Sequence, residues 1–218
     1  MKIEMGESLF YSWLRHVKKC QIVQTNWTSS SQWQVKNKDR LEDIMSITKS
    51  FFLNKYGYKI FKKTSSLAQL LTQAECDVIG IEIQEGKTNI YAVDVAFHEG
   101  GLNYGSREET IQKIISKSLR TAMCIYGYLD SRKAEIIFAS PKLSKSMIPE
   151  ITRCLFEAQS LMGDLGYEYS FGLLANEDFQ DKVLDPILAA SKGIADTNEL
   201  FIRSYQMIKM FEKNAGIK

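Results

Sequence analysis

The sequence predicts an α/β protein in which one mixed β-sheet is flanked by helices. Three observations carry this. The composition is that of an ordinary globular protein, with 44% hydrophobic residues, 25% charged residues and 3 Pro in 218 residues, which excludes disordered, collagen-like and coiled-coil chains. Long stretches with apolar residues at helical spacing alternate with short β-rich runs. From the middle of the chain the order becomes hairpin, helix, strand, helix, strand, helices, the pattern of helices packed on a mixed sheet. No internal repeat and no Pro/Gly linker divides the chain. One domain over 1–218 is therefore expected, with its core at about 6–140 and with 141–218 completing the sheet and adding helices.

Taken in order, residues 6–18 form a first helix through Leu9, Phe10, Trp13, Leu14 and Val17. Cys20–Trp27 is a short strand, and Thr28–Gln32 a polar loop. Residues 39–56 carry Leu41, Ile44, Ile47, Phe51 and Phe52 on an amphipathic helix. Ser66–Ala74 is a shorter helix, with Ser66 and Gln69 at capping-box spacing. Asp77–Ile83 and Asn89–His98 are β-rich and joined by a turn containing Gly86, so they pair as a hairpin. After Gly100–Gly105 a long helix starts at Ser106, which forms a capping-box pair with Glu109 and is followed by Ile111, Ile114, Ile115, Leu119, Ala122 and Met123. Glu135–Ala139 reads as a buried strand, 146–162 as a helix, Tyr167–Ala175 as a strand, and 178–191 and 197–213 as helices. Asn176-Glu177-Asp178 and Asp196-Thr197 read as helix N-terminal caps. The apolar face of the last helix (Leu200, Phe201, Tyr205, Ile208, Phe211) either packs on the core or pairs two protomers.

The net charge of +2 excludes binding to nucleic acid through bulk charge. The charge is nevertheless uneven: residues 1–64 hold 12 Lys+Arg and 5 Asp+Glu, and the remainder holds 16 and 21. A basic first third can steer a polyanion to one face. Cys20, Cys76, Cys124 and Cys154 contain no C-x-x-C pair, and His16 and His98 are the two histidines, so a zinc site is not expected. Cys124 falls on an apolar helical stripe, where a small buried hydrophobe fits. The first residues lack the apolar run of a signal peptide, and no stretch reaches the length of a membrane span. A cytoplasmic protein with reduced thiols and no membrane contact is expected.

Two acids stand out because of their surroundings. Asp77 opens the first hairpin strand, and Asp94 lies within Ile90–Phe97, a run otherwise almost wholly apolar. Strand alternation puts Ala92, Asp94, Ala96 and His98 on one face. A carboxylate ionised in a dry core is costly without a cation, a metal or access to water, and the small Ala92 and Ala96 leave room for one. An early helix acid (Glu7), a strand with an acid, a hairpin turn, a strand with a central acid and then a long helix resemble the core of the PD-(D/E)XK nuclease-like superfamily. The resemblance covers about residues 6–140. It implies a restriction-endonuclease-like sandwich, Mg²⁺ or Mn²⁺ held by Glu7, Asp77 and Asp94, and hydrolysis of phosphodiester bonds. The lysine expected two residues after the second acid is replaced by Ala96.

Lys113 and Lys117 lie at i, i+4 on the following helix and Arg120 continues that stripe. Lys113 is the expected substitute for the missing lysine, and His98 a further candidate to assist water. The expected catalytic set is thus Asp77, Asp94, Lys113 and His98. Arg15, Lys18, Lys19, Ser106, Lys117 and Arg120 are the expected contacts to nucleic acid, DNA rather than RNA. Trp13, Trp27 and Trp33 concentrate aromatic surface in the same basic third, although Phe10, Trp13 and Leu14 at helical spacing suit a core. The glycine loop matches neither a P-loop nor G-x-G-x-x-G; it serves chain reversal, with a phosphate contact at Ser106 as an addition. A second reading retains the fold without catalysis, as a module binding nucleic acid or a protein partner, a second copy included. A third is a small-molecule binder using the glycine loop.

Overall fold

The computed structural model describes residues 4–214 apart from 31, 63, 65, 73 and 196, with side chains up to 211. The chain runs α1 (Met5–His16), β1 (Ile22–Thr28), α2 (Lys38–Tyr56), α3 (Leu67–Thr72), β2 (Glu75–Gln84), β3 (Lys87–Val95), α4 (Arg107–Leu129), β4 (Lys133–Ser140), α5 (Ile148–Asp164) and β5 (Glu168–Ala175). It ends with α6 (Glu177–Phe179), a π turn (Gln180–Leu184), α7 (Asp185–Ser191) and α8 (Leu200–Asn214).

Local chemistry sets these boundaries. Ser66 Oγ accepts the Gln69 N–H at 3.2 Å and Ser106 Oγ that of Glu109 at 3.1 Å, so the serine half of each expected capping box is formed. Gly57, at φ 70°, closes α2 in the left-handed region. Between β2 and β3, Glu85 and Gly86 both have positive φ (50° and 76°), the requirement of a two-residue hairpin turn whose twist matches its strands.

The five strands lie side by side in chain order. β1, β2 and β3 pair antiparallel, whereas β3–β4 and β4–β5 pair parallel. Each parallel pair needs a crossover, and α4 and α5 supply them. Both crossover helices bury their apolar residues in the same cluster as Ala92, Ala96, Ile136 and Phe138, together with residues of α2 and α3. The opposite face, with Val78, Val93, Ile137 and Ala139, is covered by Leu9, Phe10, Trp13 and Leu14 of α1 and by Phe179, Val183, Ile187 and Ile202 from the C-terminal helices. The molecule is thus α/β with an open mixed sheet between two helical layers.

Several expectations are corrected here. β3 ends at Val95, so Phe97 and His98 are exposed beyond the strand rather than continuing its alternation. The helix expected over 178–191 is interrupted by the π turn. Asn176 does not cap a helix: its side chain bonds both the N–H and the C=O of Leu143, each at 2.8 Å. Thr197 Oγ1 accepts the Glu199 N–H at 3.2 Å, while Asp196 lies outside the described residues. In α8, Ile202 is buried and Phe201 half-buried, and the Phe201 N–H donates to Ser8 Oγ of α1, so the helix packs on the core. Leu200, Ile208 and Phe211 stay exposed. Among the described residues no helix is long and apolar enough to cross a membrane.

Candidate active site

Asp94 sits in β3 on the face turned to α4 and is 2% exposed. Two residues one turn apart on α4 meet it. Lys117 Nζ lies 3.2 Å from Oδ1, and the Thr121 hydroxyl donates to Oδ2 at 3.3 Å. The i, i+4 spacing makes both contacts possible from one helical stripe. Ala92 and Ala96, buried on either side of Asp94, leave the volume the lysine needs. Burial works against the charge of Lys117, but Asp94 and Asp77 outweigh it and hold the ammonium protonated more firmly than usual.

Asp77 lies near the start of β2, beside the end of β3 because the two strands run antiparallel. Its Oδ2 accepts the Val95 N–H at 2.6 Å. Burial pushes its carboxyl up to about 6; Lys117 pulls the other way, and the charges of Asp94 and Glu7 push up further. Asp77 therefore feels both other acids and the lysine, and the four groups form one electrostatic cluster.

Glu7 enters from the opposite layer. Gly6 lets α1 approach the end of β3, since a Cβ there would stand 3.0 Å from a Val95 methyl. Glu7 is buried, and its Oε2 accepts the Asn26 side-chain amide at 2.8 Å and the Glu4 N–H at 3.4 Å. Asn26 is left out of the β1–β2 pairing between Thr25–Val78 and Trp27–Cys76, while the register continues unchanged across it, and it sits at φ 51°. A left-handed residue inside a strand is strained, and Asn is one of the few non-glycine types that tolerate it. The sequence reading did not single out Asn26; an Asn among the β-branched and aromatic residues of Ile22–Thr28 was its one available signal.

The remaining expected residues are placed elsewhere. Lys113 does not reach the acids: its Nζ stands 3.7 Å from the centre of the Tyr104 ring. His98 meets the edge of the same ring, at 6.4 Å between centroids. Arg15 pairs with buried Glu199 at 2.9 Å, and Lys18 with Glu135 at 3.3 Å while lying over Trp13 and Tyr91. Lys19 is exposed, with φ 59°. Ser106 is engaged in capping α4, and Arg120 lies half-buried on that helix, one turn beyond Ser116. Trp13 and Trp27 belong to the two cores, and Trp33 is 48% exposed beside Trp27 and Tyr128. The basic N-terminal third is thus partly tied into ion pairs and packing.

The donor set consists of hard carboxylate oxygens: Asp77 and Asp94 share one lysine, and Glu7 acts on Asp77, so the acids outnumber the cation and a hard divalent ion would balance the excess. Among the described residues, however, no three of His, Cys, Asp and Glu are arranged to hold one ion. Asp77 and Asp94 are of the donor type Mg²⁺ takes, one or two carboxylates beside several waters, although both Asp94 oxygens are already engaged by Lys117 and Thr121. Glu7, oriented by Asn26, fits a position behind them.

Fold and cluster together define an α/β protein with a buried acid–lysine site where two antiparallel strands meet a crossover helix. No family model, curated protein or solved structure matches the chain.

Proposed function

We propose that this chain is a metal-dependent, nuclease-like hydrolase that cuts phosphodiester bonds of nucleic acid, with Asp77, Asp94 and Lys117 as its central groups. The observation that carries this reading is Lys117: it brings from α4 to Asp94 the cation that Ala96, one residue past β3, does not supply. The element order supports it as well, since α1 with Glu7, the hairpin strands β2 and β3 with Asp77 and Asp94, and the long α4 come in the order of the resemblance, with β1, α2 and α3 between α1 and β2.

A divalent ion held by Asp77 and Asp94 would supply an acidified water and offset charge building on the phosphate. Lys117, kept protonated by the two acids, adds a fixed positive charge for the phosphate oxygens and orients Asp94. Thr121 fixes the second Asp94 oxygen, and the Val95 N–H fixes Asp77. Asn26 holds Glu7 so that its charge acts on Asp77.

A second reading, a catalytically inactive module that binds nucleic acid or a protein partner, is favoured by one feature. Both Asp94 oxygens are already engaged by Lys117 and Thr121. The two readings separate in one experiment. Wild-type chain, Asp94→Asn and Lys117→Met are incubated with labelled DNA and RNA in Mg²⁺, Mn²⁺ or EDTA. The hydrolase reading expects metal-dependent cleavage by wild type and a loss of at least a hundredfold in both variants. Absence of cleavage on every substrate, with binding retained in EDTA, selects the second reading.

A further inference from the structure

Beside the acid cluster, on the outer flank of α4, lies a cleft of about 430 Å³. Its lining includes Lys59 and Lys62 from one segment, Lys113 and Arg120 from α4, and Tyr104, whose ring meets Lys113. The acid on the rim, Glu109, is turned back over Gly105. The Lys59–Lys62 segment is a built feature. Ile60 and Phe61 are buried at 1% and 5% exposure, and the Lys59 N–H is tied to Gln112 of α4 at 3.0 Å. Phe61 is held at φ 62°, a conformation a bulky residue adopts only where its surroundings force it. Burying that pair leaves Lys59 and Lys62 exposed on either side of it, facing the cleft.

The cleft and the acid cluster adjoin. Lys113 and Lys117 are one turn apart on α4, and the Tyr104 hydroxyl is influenced by Lys117, Asp94 and Asp77. Among the described lining residues cations outnumber acids, and the exposed Lys59 and Lys62 give the cleft a positive edge that attracts anions and suits successive phosphates. The Tyr104 ring in the lining can meet an unpaired base, whereas a duplex keeps its bases stacked inside. We infer that the cleft between the Lys59–Lys62 segment and α4 holds a single strand of nucleic acid by the phosphates flanking the scissile one. This rests on the nuclease-like reading for its orientation, but strand binding is measurable without cleavage.

The test uses the full chain in EDTA, with fluorescence anisotropy of a labelled 12-nucleotide single strand and of the corresponding duplex over a series of salt concentrations. Lys59→Glu/Lys62→Glu is expected to weaken single-strand binding at least tenfold. Neutralising two phosphate contacts accounts for a salt slope lower by about 1.4. Lys87→Glu/Lys192→Glu, the same charge change at exposed lysines outside the cleft, is expected to lose less than threefold. Thermal unfolding of both variants checks that they fold. Unchanged affinity on Lys59→Glu/Lys62→Glu, equal loss in the control pair, tighter binding of the duplex, or no binding by wild type overturns the inference. Binding that behaves as expected in a chain that cleaves nothing sustains the cleft and rejects the hydrolase.

Discussion

At the scale of single residues, the site is a balance of buried charges, and each member can be weighed separately. Lys117→Met keeps the aliphatic stem but leaves Asp94 ionised and unpaired. Breaking a buried pair from one side costs about 3 kcal/mol, so a large loss in urea stability is expected. Lys113→Met gives up a cation–ring contact worth about 1 kcal/mol or less. Adding Asp94→Asn to Lys117→Met should recover most of the loss; equal costs for the two lysine variants would place the pair outside the core. Asp77 behaves in the opposite sense, because its folded-state pKa of about 6 lies above the ordinary 3.8. The fold favours its protonated form. That contribution is complete below about pH 4, declines between 4 and 6, and is absent above 6, where an ionised carboxylate is buried. Two pKa units correspond to about 3 kcal/mol at most. Asp77→Asn, which retains an oxygen for the Val95 N–H, should therefore melt higher than wild type at pH 7.5 in EDTA, with the difference closing by pH 4. Equal melting temperatures at both pH values would refute the assignment. Asn26 supplies a third comparison. Asn26→Gly and Asn26→Ala both delete the bond to Glu7, but alanine also meets the left-handed backbone at φ 51°. A difference of about 1 kcal/mol in favour of glycine is expected.

Between elements, close approach decides where the site forms. Gly80 faces α1 and the segment after it: an added Cβ would lie 2.9 Å from Cys20 Sγ and 3.1 Å from a Leu14 methyl. Gly80→Ala should push α1 off β2 at a cost of about 1–3 kcal/mol, and Cys20→Ala should restore part of it. A melting temperature insensitive to both changes would show that the contact is slack. The same elements show what periodicity can convey. The strands and most helices are legible because each buries one face, and alternation or helical spacing records which face that is. Asp77 and Asp94 are legible for the complementary reason, being charges where the pattern demands apolar residues. Lys117 is not distinguishable from Lys113 by spacing, since both share one stripe. The height at which α4 crosses β3 selects between them, and that is set by packing across the sheet. Asn26 and the Lys59–Lys62 wall depend on backbone conformations at φ 51° and, at Phe61, 62°, which neither hydrophobic pattern nor charge registers. The π turn likewise leaves the apolar spacing of 178–191 nearly undisturbed.

Across the whole molecule, the sheet is the shared wall of two cores. Successive residues of β4 enter opposite clusters: Ile136 and Phe138 face α4 and α5, while Ile137 and Ala139 face α1 and the C-terminal helices. Removing either helical layer would expose one full face of the sheet, so neither layer can leave while the other remains native. The site depends on that coupling, because Lys117 belongs to one layer and Glu7 to the other, with Asp77 feeling both. Trp13 and Trp27 report the layers separately, as Trp13 is buried in the α1 cluster and Trp27 in the α2–α5 cluster. In Trp33→Phe chains carrying either Trp13→Phe or Trp27→Phe, fluorescence in urea should give transitions that coincide with each other and with the loss of helical circular dichroism once each variant's own stability is matched. Coincidence of probes is the signature of all-or-none unfolding. Separated midpoints within one variant would mean that a helical layer detaches before the sheet melts. The acid–lysine site, which needs both layers, would then be assembled by docking rather than by folding.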